Sequence, residues 1–373
     1  MTKNIYLDHA ATTPVDRDVM SAAMPFYSDV FYNASSLHAC GQRAAAAVEH
    51  AREQCAAAIN ARANEVYFTS GGTESINWAM SVADRTNKKR VIVSAIEHDA
   101  AIACAEALAS RGFEVIYVKP TCGGTIAPDA LEKVIDDNTA LVCVMTVNNI
   151  TGAIQPIKEL CGIAHRYGAL FFTDAVQAVN SMELDVKDSG VDMLAVSGHK
   201  FYAPKGVGFL YVKNDVRTDL DPLMRGGEQE KGKRAGTVDV PSVVAMGKAI
   251  EKAHAYISEY NAHAILVGEK FLNSLKYGDI IRCDNKTSDI MSVVFDGING
   301  GRLAVALSCA GLCCSVGSAC SAGSATPPRT LLEMGVKNAD CAIRFSFGKH
   351  TSLNQASIAA RTVNAVVKNL CGK

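Results

Sequence analysis

The sequence predicts an α/β protein built around a mainly parallel β-sheet with helices on both faces. Continuous apolar runs such as "VYF" and "ALVCV" are typical of strands that are buried on both sides. Amphipathic stretches alternate with these runs, as they do in repeated β–α–β units. The chain has 373 residues, of which 49% are hydrophobic, and this length favours two domains over a single core.

The strand, loop and helix pattern recurs along the first part of the chain. It begins with a strand over Val66–Thr69, followed by a Ser-Gly-Gly-Thr turn and a helical pattern. The pattern returns in "RVIVSAIEHDAAIACAEALA", "ALVCVMTVNNITG", "GALFFTDAVQAV" and "VDMLAVSGHKFYAPKGVGFLYV". Ligands of open α/β sheets bind beyond the carboxyl ends of the strands, so the polar residues that end these runs are expected to share one site.

The pattern changes at about Lys252. A helical stretch reaches about Tyr277 and is followed by "IMSVVFDG", a cysteine-containing loop and "CAIRFSFG". Strands and helices mixed in this way predict a smaller α+β domain in the C-terminal part of the chain.

Composition bears on partners and location. The net charge of −1 gives no reason to expect nucleic acid or an anionic membrane as a direct partner. No apolar run is long enough for a transmembrane helix, and the opening "MTKNIYLDHAATTP" lacks the apolar core of a secretory signal. The thirteen cysteines are therefore expected to be reduced thiols of a cytoplasmic protein.

Two strand ends carry residues that suit a pyridoxal phosphate (PLP) site. Asp174 follows the apolar run "ALFF" and either caps a helix or pairs with the pyridinium nitrogen of the cofactor. Gln177 would lie on the same face if a helix begins here, within reach of the ring hydroxyl. Lys200 in "SGHK" is either an ordinary surface lysine or a Schiff-base lysine.

Three further features have both a structural and a functional interpretation. The turn "TSGGTES" either caps a helix or cradles a phosphate, and it matches neither a P-loop nor a dinucleotide fingerprint. His98 is either structural or stacks on a cofactor ring and moves protons. Arg344, inside an apolar strand, needs an anion, which is either a structural carboxylate or that of a substrate.

The stretch "SVGSACSAG" places Cys320 among small residues, which is typical of an exposed, flexible loop. The thiol is either incidental or a nucleophile that must reach a cofactor, take up sulfur there and then transfer that sulfur onward.

Together these motifs resemble the cysteine desulfurases of the NifS and IscS type within the class V aminotransferases. The likeness covers nearly the whole chain and keeps the motif order: "YLDHAATTP", "NASSLHACG", "FTSGGTESIN", "EHDA", "VNNITGAIQP", "TDAVQ", "SGHKFYAPKG", "QEKGKRAGT", "GSACSAG" and "IRFSFG". The chain departs from the usual motifs at Ala34 for proline, Ile150 for glutamate, Glu228 for glycine and Ser288-Asp289 for Pro-Asn.

The resemblance implies the type I fold of PLP-dependent transferases. A large PLP-binding domain is expected over residues 16–251, and a small domain, which holds the loop with the catalytic cysteine, over 1–15 and 252–373. A homodimer is also implied, because Thr237 would reach the cofactor phosphate of the second subunit.

The resemblance further implies a set of site residues. The catalytic residues would be Cys320, Lys200 and His98, with no metal ligand, and Arg344 and Asn149 would bind the substrate carboxylate. The cofactor would be held by Gly72, Thr73, His98, Asn149, Asp174, Gln177, Ser197, His199, Lys200 and Thr237.

The implied reaction converts L-cysteine to L-alanine and leaves the sulfur as a persulfide on Cys320. Lys200 would take the substrate α-proton, and His98 is the candidate acceptor for the thiol proton. An acceptor protein would then receive the sulfur for iron–sulfur cluster assembly, tRNA thiolation or DNA phosphorothioation.

Other functions stay open on the sequence alone. Another class V reaction, selenocysteine lysis or transamination, would not need a persulfide on Cys320. A metal or iron–sulfur binding module is suggested by the cluster of Cys309, Cys313, Cys314 and Cys320, although the paired C-x-x-C form is lacking. A non-catalytic scaffold is disfavoured because Lys200, Asp174, His98 and Arg344 are all present.

Overall fold

A computed structural model describes residues 4–216, 220–317 and 327–371. Its β-strands are β1 Ile5–Tyr6, β2 Val66–Thr69, β3 Arg90–Ser94, β4 Glu114–Val118, β5 Thr139–Cys143, β6 Leu170–Asp174, β7 Met193–Ser197, β8 Gly208–Val212, β9 Asp279–Ile280, β10 Ile290–Val294, β11 Leu312–Cys313 and β12 Ala342–Ser346. Its α-helices are α1 Arg17–Ala23, α2 Pro25–Ser28, α3 Ala39–Ala58, α4 Gly72–Met80, α5 Asp99–Ser110, α6 Pro128–Glu132, α7 Ile157–Arg166, α8 Val186–Ser189, α9 Val240–Ala255, α10 Ile257–Ser274, α11 Gly300–Cys309, α12 Arg329–Glu333 and α13 Leu353–Leu370.

The central sheet has seven strands in the order β2-β8-β7-β6-β5-β3-β4. Strands β3 to β7 pair in parallel, whereas β8 runs antiparallel to both β2 and β7. Neighbouring residues of one strand enter opposite cores: Phe171 belongs to the core that contains residues of α7 and α9, and Phe172 to the core that contains residues of α4 and α5. The predicted α/β architecture is therefore confirmed, because continuous apolar strands are covered by helices on both faces.

The C-terminal part forms a separate apolar core. An antiparallel sheet of order β12-β10-β9 packs with α10, α11 and α13. Leu7 lies in the same core, because β1 pairs in parallel with β11. The domain bounds at residues 16 and 252 stay a prediction, and the N-terminal segment contacts this C-terminal core.

Two local predictions differ from the structure. The helical stretch expected from Lys252 to Tyr277 belongs to two helices, α9 and α10, which are separated at Tyr256. No α-helix begins at Asp174, where a series of turns follows β6 instead. In the part of the chain that the structure describes, no helix is long and apolar enough to cross a membrane.

Candidate active site

A cavity of about 190 Å³ lies at the carboxyl ends of the parallel strands. It brings together most of the predicted site residues, namely Gly72, Thr73, His98, Asn149, Asp174, Gln177, Ser197, His199, Lys200 and Arg344. Its wall also contains residues to which the sequence assigned no role: Ala10, Ala11, Ile76, Met145 and Val176. Thr237 is exposed and does not line this cavity, and Cys320 lies outside the described residues. A second cavity, of about 240 Å³ between α1, α9 and α10, contains none of the predicted site residues.

Lys200 is held by the N-terminal segment of the chain. It ends a short 3₁₀ turn that follows β7, and its main-chain carbonyl accepts a hydrogen bond from Asn180 at 2.8 Å. Its Nζ donates to the carbonyl oxygens of Ala10 at 2.6 Å and Ala11 at 2.9 Å. These two carbonyls fix the direction of the Lys200 amino group at the cavity wall. A sequence motif does not reveal such main-chain contacts.

Asp174 is the buried acid of the cavity, with only 4% of its surface exposed. Burial raises the pKa of its carboxyl, and the neighbouring His98 and Lys200 act in the opposite direction. Its Oδ1 accepts the Val176 N–H at 2.9 Å, which fixes the carboxylate in the turn. Gln177 reaches the cavity from this turn rather than from a helix, and its Nε2 donates to the Ala10 carbonyl at 2.7 Å.

The Gly-Gly turn forms a cradle at the N-terminus of α4. Gly71 has φ +147°, a conformation that residues with a side chain rarely adopt. The turn is fixed by Glu74, whose Oε2 accepts the Ser70 N–H at 2.7 Å, and Arg234 forms an ion pair of 2.9 Å with the same carboxylate. Helix N-termini with free N–H groups bind anions, so this end of the cavity suits a phosphate.

The two histidines of the cavity are both held by hydrogen bonds. His98 is the N-cap of α5, and its Nδ1 accepts the Ala100 N–H at 3.1 Å. A neutral His98 therefore carries its proton on Nε2. His199 Nδ1 lies 3.1 Å from the Thr12 hydroxyl, and burial together with Lys200 lowers the pKa of this imidazole to about 4.

Arg344 has a structural carboxylate as its partner and also lines the cavity. The side chain is only 2% exposed, and its Nη2 forms an ion pair of 2.7 Å with Asp8. Its Nη1 donates to the Asn149 carbonyl at 2.8 Å. Its buried Nε has no hydrogen-bond partner among the described residues, so this N–H is available to an anion in the cavity that Arg344 lines.

The described residues that precede the segment with Cys320 pair with this arginine. Ser315 exchanges two main-chain hydrogen bonds with Arg344, of 3.2 and 2.7 Å. Gly317 and Pro328 lie so close together that a Cβ on Gly317 would be 2.7 Å from the Pro328 Cγ. The described residues on either side of this segment therefore lie close together, and Ser315 pairs with an arginine that lines the cavity.

The family model for class V aminotransferases matches residues 5–358. The chain belongs to this family. A cysteine desulfurase IscS of Methanosarcina thermophila is 37% identical over 99% of this chain and 93% of the relative. A solved NifS-like protein has a TM-score of 0.92 at 32% identity, covering 99% of this chain and 100% of that one. SspA in complex with cysteine has a TM-score of 0.82 at 35% identity, covering 92% and 98%.

The family membership that the motifs indicated is thus confirmed. One position at which this class V chain departs from the usual motifs has a structural explanation. Ile150, where related motifs have glutamate, is only 4% exposed and packs with Ile281, Leu331 and Met334. It also lies against the start of the Cys320 segment, 3.6 Å from the position of a Cβ on Gly317. An aliphatic side chain suits this apolar surrounding, where an unpaired carboxylate would be costly.

Three of the four clustered cysteines lie within the described residues. Cys309 is exposed at the end of α11, and Cys313 and Cys314 are half-buried. Within residues 4–216, 220–317 and 327–371, no group of three or more His, Cys, Asp or Glu side chains is arranged to hold a metal ion.

Proposed function

We propose that this protein is a PLP-dependent cysteine desulfurase that converts L-cysteine to L-alanine and passes the sulfur to an acceptor protein. The observation that supports this most is the meeting of Lys200, Asp174, His98 and Arg344 in one cavity at the strand ends. Each is a residue type that PLP chemistry on an amino acid needs. The relatives named cysteine desulfurase support the choice among class V reactions.

The residues of the cavity fit PLP. The Gly71 turn and the N-terminus of α4 suit its phosphate, and the buried Asp174 carboxylate suits its protonated ring nitrogen. The residues that would hold it are Gly72, Thr73, His98, Asn149, Asp174, Gln177, Ser197, His199 and Lys200, together with Thr237 of a second copy. When bound, PLP would withdraw electrons from the substrate α-carbon and so make the α-proton acidic.

Three side chains of the cavity have separate roles in the proposed reaction. Arg344 binds the substrate carboxylate with the donor that no described residue occupies, beside Asn149. Lys200 Nζ, held at the wall by two carbonyls, takes the α-proton. His98 donates a proton from Nε2, because its Nδ1 already accepts the Ala100 N–H. This favours His98 as proton donor to the product carbon over the acceptor role that the sequence suggested.

Cys320 is the proposed sulfur carrier. Its thiolate attacks the substrate sulfur, and the S–S bond forms as the substrate C–S bond breaks. The electron pair of the broken bond stays on the substrate carbon, which takes a proton, so that alanine leaves and Cys320 holds a persulfide. The bridge between Ser315 and Arg344 supports this, because it places the residues just before this segment next to the proposed carboxylate-binding arginine.

A product assay tests the proposed function. The PLP-loaded protein with L-cysteine and a reductant should form alanine and sulfide in equal amounts. Cys320→Ser should lose this activity, whereas the control Cys309→Ser, at an exposed helix end, should keep it. An unchanged rate in Cys320→Ser, or a keto acid as product without sulfide, would contradict the proposal. Selenocysteine lysis that survives Cys320→Ser, without wild-type desulfuration, would favour the lyase.

A further inference from the structure

Glu97 is a buried acid that the proposed reaction does not use. It follows β3, directly before His98, and only 5% of its surface is exposed. Its Oε1 accepts the Met145 N–H at 2.6 Å and the Ser94 hydroxyl at 2.5 Å. Its Oε2 has one hydrogen-bond partner among the described residues, the Cys143 thiol, whose sulfur lies 3.8 Å away in the donor position.

This arrangement suits a neutral acid better than a carboxylate. In a protonated carboxyl, Oε1 is the carbonyl oxygen that takes both donors, and the Oε2 hydroxyl faces the weakly accepting Cys143 sulfur. In a carboxylate, Oε2 would hold half of a buried charge with only a distant thiol beside it. The groups that contact Glu97 carry no positive charge, and an uncompensated buried carboxylate is strongly disfavoured.

Asp174 lies across β5 from Glu97. Strand β5 separates β3 from β6, so the two acids flank the end of one strand. Burial raises the pKa of Glu97 to about 8, and the charge of Asp174 acts in the same direction. The other titratable groups that face this pair are Cys143, whose pKa burial raises well above its usual value, and His98 and Lys200, which both favour the ionised form of Asp174.

We propose that Glu97 is a positioning residue that keeps a proton on Oε2 at neutral pH and thereby leaves the charge of Asp174 without a like-charged neighbour. Glu97 directly precedes His98 and accepts the Met145 N–H. It therefore connects two residues of the cavity wall, His98 and Met145, that follow different strands. An ionised Asp174 has a role only if the protein binds PLP, so that part rests on the proposed function. The protonation of Glu97 does not depend on PLP.

The test uses proton linkage in the cofactor-free chain. An acid whose folded pKa exceeds its usual value of 4.5 stabilises the fold below that value, and the contribution is lost as pH rises through the folded pKa of about 8. The free energy of unfolding of wild type should therefore fall relative to that of Glu97→Gln as pH rises between these two values. The slope of this difference against pH should correspond to one proton, and the difference should become constant above the folded pKa. Glutamine reproduces the carbonyl oxygen and places an N–H donor towards Cys143.

Chemical denaturation from pH 5 to 9 measures the difference between the two chains. The control is Glu106→Gln, which makes the same replacement at an exposed position on α5. A pH-independent difference between wild type and Glu97→Gln would overturn the proposal.

Infrared spectroscopy gives a second readout that does not depend on the variant folding well. Wild type at pH 7 should show the carbonyl stretch of a buried protonated carboxylic acid, which Glu97→Gln should lack. A wild-type chain without that band would also overturn the proposal. Both measurements need neither PLP nor L-cysteine, so absence of desulfurase activity would count against the proposed function and leave the protonation of Glu97 standing.

Discussion

Arg344 and Asp8 join the two ends of the chain through an ion pair of 2.7 Å. Next to them, the Ser346 N–H donates to the Leu7 carbonyl, so the N-terminal segment lies along β12. The same segment supplies the Ala10 and Ala11 carbonyls that hold Lys200. One ion pair therefore orients the proposed carboxylate-binding arginine and anchors the chain that positions the proposed catalytic lysine.

Asp8→Asn should weaken substrate binding more than catalysis. The amide still accepts one hydrogen bond, but the buried Arg344 loses its counter-charge and is oriented less firmly. We expect KM for L-cysteine to rise by roughly tenfold, the equivalent of about 1.4 kcal/mol, while kcat falls by less. Alanine formation over a range of L-cysteine concentrations measures both. Asp18→Asn, which changes an exposed partner of Lys252, is the control; an unchanged KM in Asp8→Asn would contradict this account.

Gly71→Ala should weaken both the fold and cofactor binding. The backbone at φ +147° and ψ −170° is open mainly to glycine, and imposing it on alanine costs about 1–3 kcal/mol. A Cβ there would also lie 3.4 Å from the Ser197 Oγ, inside the proposed phosphate cradle. Denaturation and titration with PLP measure the two effects. Gly162→Ala, in open space on helix α7, should instead leave PLP binding unchanged and stabilise the fold by roughly 0.5–1 kcal/mol. Equal behaviour of the two variants would rule out the strain argument.

The sequence reveals the strand ends well and the main-chain contacts poorly. Strand Val66–Thr69 and the acid at Asp174 could be predicted because buried strands are uniformly apolar and stop at a polar residue. The contacts of Ala10 and Ala11 with Lys200 could not, because carbonyl groups are common to every residue and leave no side-chain signal.

Long-range pairing set a second limit on what the sequence could show. The partner of Arg344 is 336 positions away at Asp8, and only folding brings them together. Gln177 reaches the cavity as predicted, but from a turn, because the Asp174 carboxylate binds the Val176 N–H there and no α-helix follows. Glu97 is part of the motif "EHDA", but the motif does not show whether its carboxyl is protonated. That depends on how deeply the fold buries the side chain.

Acid should destabilise the cofactor-free chain partly through His199. Burial and Lys200 lower the pKa of its imidazole to about 4, so the unfolded chain binds a proton that the folded chain excludes. The contribution of a neutral His199 is present above pH 6.5 and is lost as pH falls towards 4. His199→Gln should therefore reduce the slope of unfolding free energy against pH in this window by about one proton. His50→Gln, at an exposed position on α3, is the matched control, and a wild-type slope in His199→Gln would refute the assignment.

Thr237 gives the most direct test of the proposed homodimer. It is exposed and lies outside the cavity of its own chain, although Glu74 and Arg234 fix the loop that carries it. Thr237→Ala should weaken PLP binding by about tenfold or more, since hydrogen bonds to charged groups contribute about 1.5–3 kcal/mol.

Mixed dimers of Thr237→Ala and Lys200→Ala chains, purified with two different tags, show whether Thr237 acts on its own chain's site or on that of the second copy. If Thr237 acts across the dimer, the site that keeps Lys200 receives an intact threonine, and half of the wild-type activity returns at limiting PLP. If that site binds PLP as weakly as the Thr237→Ala homodimer, Thr237 does not act across the dimer.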